Sequence, residues 1–319
     1  MFKPDFVYER EQNNLPFDLY YASATTDNTK MYLTTHELPI LYSQYYQKND
    51  LNKVFAMRKG SKIFIDSGAH TAHTKNLEID VDSYIDYINS VSENIYVFAQ
   101  VDKIPGIYLQ PKTAKDWADA PRLSWENYLY MRTKVKEPDK LMMIHHQGEH
   151  FDWLHNMLEW TDENGRHIPY VGLSPRGDVP VSAKIDYLAH CFKIIEHSSN
   201  PNVKTHALGM TSLDVLEMFP LYSADSTSWK LCAAMGSIMT PWGIVYVSDR
   251  GKYEKDYILN LSSVIVDNIL AYIKTEGFTF EQVANEDNAR YLMNIHYLER
   301  WARNYKYKGC IEKLPTKLF

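Results

Sequence analysis

Short apolar runs alternate along this chain with longer amphipathic stretches. Eight runs read as strands: 18–24 (DLYYASA), 62–67 (KIFIDS), 95–102 (IYVFAQVD), 141–147 (LMMIHHQ), 170–174 (YVGLS), 204–209 (KTHALG), 221–226 (LYSADS) and 243–248 (GIVYVS). Near-continuous apolar character over so few residues is what a strand covered on both faces requires. Helical periodicity fills most of the gaps. Over 80–92 (DVDSYIDYINSVS), Val81, Tyr84, Ile85 and Ile88 share one face, and Asp80 stands ready as the N-cap. Comparable patterns cover 123–136, with a capping signal at Ser124, and 149–161, 181–197 and 212–219. The segment 255–275 is strongly amphipathic, and 279–304 holds at least one more helix.

Eight strand–helix alternations over about 230 residues predict an α/β protein, a (β/α)8 TIM barrel of parallel strands. The competing architecture is an open doubly wound sheet, but no glycine-rich dinucleotide fingerprint follows the first strand. A chain of 319 residues that is 45% apolar can fill one large core. We therefore expect a single domain, 1–319, with a barrel core at 18–275. An N-terminal segment would cap the barrel bottom, and 276–319 would form a C-terminal helical extension.

Four of the apolar runs stop on aspartate, at Asp66, Asp102, Asp225 and Asp249. In a parallel barrel the chemistry sits at the carboxyl ends of the strands. Reading those ends gives Ser23, Asp66-Ser67-Gly68, Asp102, His146-Gln147-Gly148, Ser174, Gly209, Asp225-Ser226 and Asp249. Any one aspartate could be a helix cap, but four together ask for a functional reason. Asp66 and Asp225, on different strands, suggest paired-carboxylate chemistry at an acetal-like carbon, one attacking and one moving protons. Ser226 or Thr227 could hold Asp225 ionised, and Asp102 could accept from the amidine-like edge of guanine. Alternation puts His145 and Gln147 on one face and His146 on the other, one histidine toward the helices and one at the rim.

Composition narrows the classes. No stretch approaches about 18 uninterrupted apolar residues, so no membrane span is expected. The start, MFKPDFVYEREQNN, lacks the apolar region of a secretory leader, and a cytoplasmic protein is expected. Three scattered cysteines, 191, 232 and 310, argue against a disulfide framework or thiolate zinc site. A net charge of −6 means that nucleic acid would need local basic patches. Candidates are Lys103, Lys112, Lys115 and Arg122 around Trp117, then Arg176, then Arg250 with Lys252. The C-terminal stretch adds Arg300, Arg303, Lys306, Lys308, Lys313 and Lys317 among Trp301, Tyr305 and Tyr307; the alternative is a solvated helix face.

DSGAH, the aspartate of FAQVD, HHQGE, YVGLSPRG, HALGMTS and YSADSTSW follow one another over residues 62–229. This order and spacing resembles the tRNA-guanine transglycosylase superfamily. The wording of THALGMTS and YSADSTSW is most similar to the DpdA-type branch, thought to exchange guanine in DNA for a 7-deazaguanine such as preQ0. The resemblance implies Asp225 as nucleophile on C1′ and Asp66 as general acid/base. It also implies base contacts from Ser67, Gly68, Asp102, Gln147, Gly148 and Gly209, and from the backbone at Gly172 and Leu173. His70 and Leu208 stand where the family sandwiches the base between an aromatic residue and a methionine, so that sandwich is altered here.

The family's tRNA enzymes carry a CxCxxC…H zinc site past the last strands, and no such spacing follows Asp225. The expectation is therefore no cofactor, no zinc, and DNA rather than tRNA as partner, together with a free 7-deazaguanine. Helper proteins or a homodimer stay open. The rival readings are a tRNA-directed enzyme, a barrel glycoside hydrolase, which would favour glutamate and cleft tryptophans, and an inactive nucleic-acid-binding homologue.

Overall fold

The computed structural model describes residues 17–24, 26–45 and 60–309. The N-terminal cap expected over the first residues, and Cys310, Lys313 and Lys317, lie outside them. Eight strands form a closed barrel in chain order: β1 (Asp18–Ala22), β2 (Ile40–Ser43), β3 (Ile63–Asp66), β4 (Val97–Ala99), β5 (Leu141–His146), β6 (Tyr170–Ser174), β7 (Lys204–Ala207) and β8 (Ser223–Ser226). Every neighbouring pair is parallel, and β8 closes on β1. The α/β class and the TIM barrel are as the sequence predicts.

Period-two alternation divides each strand between two cores. Tyr20, Leu41, Phe64, Val97, Met142 and Tyr170 pack inside the barrel. Their neighbours Leu19, Ile40, Ile63, Phe98, Met143 and Val171 pack outward against the helices. The same alternation turns the strand ends Ser43, Asp66 and Asp225 inward, with Ser43 in register with Asp66 and Tyr20 with Asp225.

The outer layer holds α1 (Asp27–Thr35), α2 (Ala69–Thr74), α3 (Val81–Val91), α4 (Ala114–Lys134), α5 (Phe151–Glu159), α6 (Val181–His197), α7 (Leu213–Leu216) and α8 (Ser228–Ala234). The Asp80 cap is present: its carboxylate accepts from the Ser83 N–H at 2.9 Å. The cap expected at Ser124 is not. Thr113 and Asp116 form a capping box eleven residues earlier, so Lys115, Trp117 and Arg122 already lie on α4. Ser124 instead accepts the Lys103 N–H at 2.8 Å, pinning the loop to α4.

One strand assignment is overturned. Residues 243–248 are not the eighth barrel strand. β10 (Gly243–Tyr246) pairs antiparallel with β9 (Ser237–Thr240) in a separate hairpin. Ile40–Ser43 takes the missing place in the barrel, so every later strand ranks one higher than expected. The barrel thus closes at Ser226, well before the 275 boundary. The hairpin and α9 (Ser263–Thr275), α10 (Phe280–Asn285) and α11 (Asp287–Arg303) build their own core around Ile238, Val245, Ile269, Ile273 and Met293. Helix α11 fastens this unit to the barrel. Buried Asn294 accepts from the Met239 N–H at 2.7 Å and donates to the Trp229 carbonyl at 2.9 Å. Among the described residues no helix is long and apolar enough to cross a membrane.

Candidate active site

Three aspartates meet at the carboxyl end of the barrel: Asp66 closes β3, Asp102 follows β4 and Asp225 lies in β8. Burial raises the Asp66 carboxyl from 3.8 to about 7, and the charges of Asp102 and Asp225 push it the same way. The Gly68 N–H, at 3.0 Å from Oδ2, and the Ser43 hydroxyl pull it down again but do not win. The chain turns into α2 at once, with Gly68 at φ +84°. A Cβ there would stand 2.7 Å from Tyr45 Cβ, so only glycine brings its N–H to the carboxylate without strain.

Asp225 is held by one oxygen. Its Oδ1 accepts the Gly209 N–H at 2.7 Å and faces His206 Nε2 at 3.2 Å. Neither Ser226 nor Thr227 serves it, because Ser226 points outward and its hydroxyl lies 2.6 Å from that of Ser228. Behind His206 runs a buried chain. Nδ1 lies 2.8 Å from the Ser223 hydroxyl, which the Tyr170 hydroxyl also meets. One proton arrangement satisfies every member: Tyr170 donates to Ser223, Ser223 to Nδ1, and Nε2–H to Asp225. Oδ2 is then the oxygen left for chemistry. The sequence reading missed His206, although alternation from Leu208 back through β7 puts it on the inward face.

Asp102 meets His146, with Oδ2 2.7 Å from Nε2. Burial alone would lower the imidazole, but the Asp102 hydrogen bond and the Asp102 and Glu149 charges raise it. Glu149 Oε2 accepts the His146 backbone N–H at 3.0 Å, and burial raises that carboxyl from 4.5 to about 7. His145 points away into the helix layer, beside the Tyr187 hydroxyl at 3.1 Å, and burial lowers it to about 3. The division of the two histidines is therefore as alternation required.

The remaining base-contact candidates divide. Gly172 faces the barrel interior, where a Cβ would lie 3.1 Å from Leu208 and 3.2 Å from the Met142 sulfur. Leu208 packs on the same interior cluster, whereas the Leu173 side chain is buried among the helices. Ser67 is fully buried, and its hydroxyl accepts from the Ala69 N–H at 3.4 Å. His70 is exposed on α2, and Gly209 reaches Asp225 through its N–H. Gln147 is already spent: it donates to the Ala183 carbonyl at 2.8 Å and accepts from the Arg176 N–H at 2.9 Å. It ties down the loop after β6 instead of facing the aspartates. Gly148 is covered by Trp117, whose ring a Cβ would meet at 2.6 Å.

The expected phosphate-binding cations are mostly matched. Lys103 pairs with Glu78 at 2.7 Å, Arg176 with Asp178 at 2.7 Å, Arg250 with Asp287 at 2.9 Å, and Lys115 with Asp119. Lys252 lies over the Tyr253 ring. Arg250 also donates to the Ala234 carbonyl at 2.8 Å, at the carboxyl end of α8, so it and Lys252 follow the hairpin and not a barrel strand. Asp249 leaves the rim for the same reason and accepts from the Tyr257 hydroxyl. Lys112 stands over the Trp117 ring at 5.2 Å, with Arg176 at 5.9 Å.

Among the described residues, no three histidine, cysteine, aspartate or glutamate side chains group to hold a metal ion. Comparison with family models and with curated proteins gives no match to this chain.

Proposed function

We propose that the chain is a base-exchange glycosyltransferase that replaces guanine in DNA with a 7-deazaguanine through a covalent link between Asp225 and C1′. The observation that carries this reading is the pairing of Asp66, raised to about 7, with an Asp225 whose Oδ1 is anchored and whose Oδ2 is left for attack. The order of sequence motifs supplies the substrate class.

The reaction follows from those two groups. The target guanosine leaves the base stack, because C1′ cannot be reached inside a duplex. Asp225 Oδ2 forms a bond to C1′, the bond from C1′ to guanine N9 breaks, and protonated Asp66 gives its proton to the departing base. Guanine diffuses out and the 7-deazaguanine enters. Asp66 carboxylate takes the N9 proton as N9 attacks C1′ and the ester to Asp225 breaks. Two inversions restore the configuration, and the proton count returns to its start.

The electrostatics time this cycle. Asp225 loses its charge once it carries the sugar, which removes one of the pushes that raise Asp66. Asp66 then holds its proton less tightly, as a base should in the second half. When Asp225 is released its charge returns, and Asp66 is favoured as an acid again. Beside them, Asp102 held by His146 offers a carboxylate to the N–H edge of the base.

Trapping tests the proposal. The parent and Asp225→Asn are incubated with guanine-containing oligonucleotides and resolved under denaturing conditions. An adduct is expected with the parent only, and the same adduct with the variant removes Asp225 from the nucleophile role. Labelled base offered to DNA and to tRNA in parallel decides the acceptor.

A further inference from the structure

The loop between β4 and α4 carries a feature that the exchange chemistry leaves unused. Ile107, Tyr108 and Leu109 are consecutive and all exposed, Leu109 at 88%. Three adjacent exposed apolar residues are a fault in a surface loop unless something covers them. The Gln110 N–H bonds to the Ile107 carbonyl at 3.1 Å, so these residues form a tight turn with Leu109 at its third position. Leu109 has φ +60°, where such turns ordinarily use glycine. A leucine there costs on the order of 1 kcal/mol, and its side chain is left almost wholly outside the packing of the described residues.

The turn's position limits what can cover it. It lies five residues beyond Asp102, in the loop that leaves the carboxyl end of β4 on the face where the aspartates meet. The Tyr108 ring stands edge-on to His73 of α2, with centroids 6.0 Å apart. Lys112, three residues beyond Leu109, is close enough to act on both His73 and His146. Trp117 lies behind it with Lys112 and Arg176 over its ring. An apolar tip flanked by Lys112 and a tryptophan, beside a site that must receive an extruded nucleotide, fits a base stack edged by a phosphate.

We infer that the Ile107–Leu109 turn is a wedge, entering the DNA duplex at the target guanosine and filling the gap that the extruded base leaves. This rests on the base-exchange reading and adds duplex DNA as the form engaged. Unstacking costs a few kcal/mol, and a side chain that stands in for the missing base offsets part of it.

Leu109→Gly is the variant of choice, because glycine relaxes the turn and the fold is kept. Exchange is measured on a paired duplex and on the same sequence with the target guanine bulged out. 2-Aminopurine beside the target reports unstacking. The expected result is a loss of about tenfold or more on the paired duplex, with exchange on the bulged substrate held within about twofold. The 2-aminopurine signal that the parent produces should be lost. Equal rates for parent and variant on the paired duplex overturn the wedge and leave the exchange reading intact. Equal losses on both substrates also overturn it. A parent that reacts with no oligonucleotide at all removes both readings.

Discussion

The proposed nucleophile, Asp225, rests on a histidine that opens the HALGMTS motif and to which the resemblance gave no role. His206 is wholly buried, and its two ring nitrogens face Asp225 and Ser223. His206→Leu leaves Asp225 with one donor and Ser223 with one partner fewer. Adduct formation should slow by about a hundredfold while the KM for free base holds. Single-turnover rates check this, and an unchanged rate would show that the Gly209 N–H suffices. His146 makes the complementary case. Its contact fixes where the Asp102 carboxylate points, so His146→Phe should raise the KM for base more than it lowers kcat, read from steady-state kinetics with the free base varied. Gln147 shows two sequence readings in conflict: alternation put it with His145, the resemblance put it on the base, and the fold follows alternation. Its neighbour in the chain faces the aspartates, but a one-residue step along a strand turns the side chain to the other layer. A motif gives the residue type and not the face on which it lands.

The turn between β3 and α2 shows the coupling of element to chemistry. Gly68→Ala forces a Cβ into Tyr45 and a side chain into positive φ. Stability should fall by about 1–3 kcal/mol. Asp66 should also lose activity beyond that expected from unfolding, read as kcat at a temperature where the variant is fully folded. The strands that frame such turns were largely legible because a barrel strand is buried on both sides and reads as an apolar run. Ile40–Ser43 escaped because it is four residues long and ends in serine, leaving nothing at its rim to mark it. Gly243–Tyr246 was misplaced because its apolar run is real but serves a hairpin. The signal lay in Thr240-Pro241-Trp242-Gly243, a two-residue connection between two apolar runs, with Gly243 at φ +116°. The aspartates survived both errors, since Asp66, Asp102 and Asp225 end strands or strand extensions that were placed correctly. Asp249 did not.

At the scale of the whole molecule, the site sets the pH at which the fold is firmest. Asp66 and Glu149 both stand at about 7 in the folded chain, above ordinary values of 3.8 and 4.5. A carboxyl with a raised folded value binds its proton more tightly folded than unfolded. Its contribution to stability is therefore fully present below about pH 4 and lost as pH rises through 7. Surface carboxylates act in the opposite sense. Asp116 and Asp162 are lowered, first by backbone N–H groups, Glu159 first by the Ser199 hydroxyl and Asp119 first by the Lys115 hydrogen bond. Their support disappears as pH falls below the usual carboxylate range. The two trends together place greatest stability on the acid side of neutrality, while the proposed exchange cycle, which needs Asp66 both protonated and ionised, should run fastest near 7. The double variant Asp66→Asn, Glu149→Gln removes the first trend and leaves the second. Relative to the parent it should gain about 1–3 kcal/mol between pH 5 and pH 8 in urea unfolding. A parent-to-variant difference that stays constant across that range would mean that neither carboxyl holds its proton in the folded chain. The acid form of Asp66 on which the first half of the exchange depends would then be absent at neutral pH.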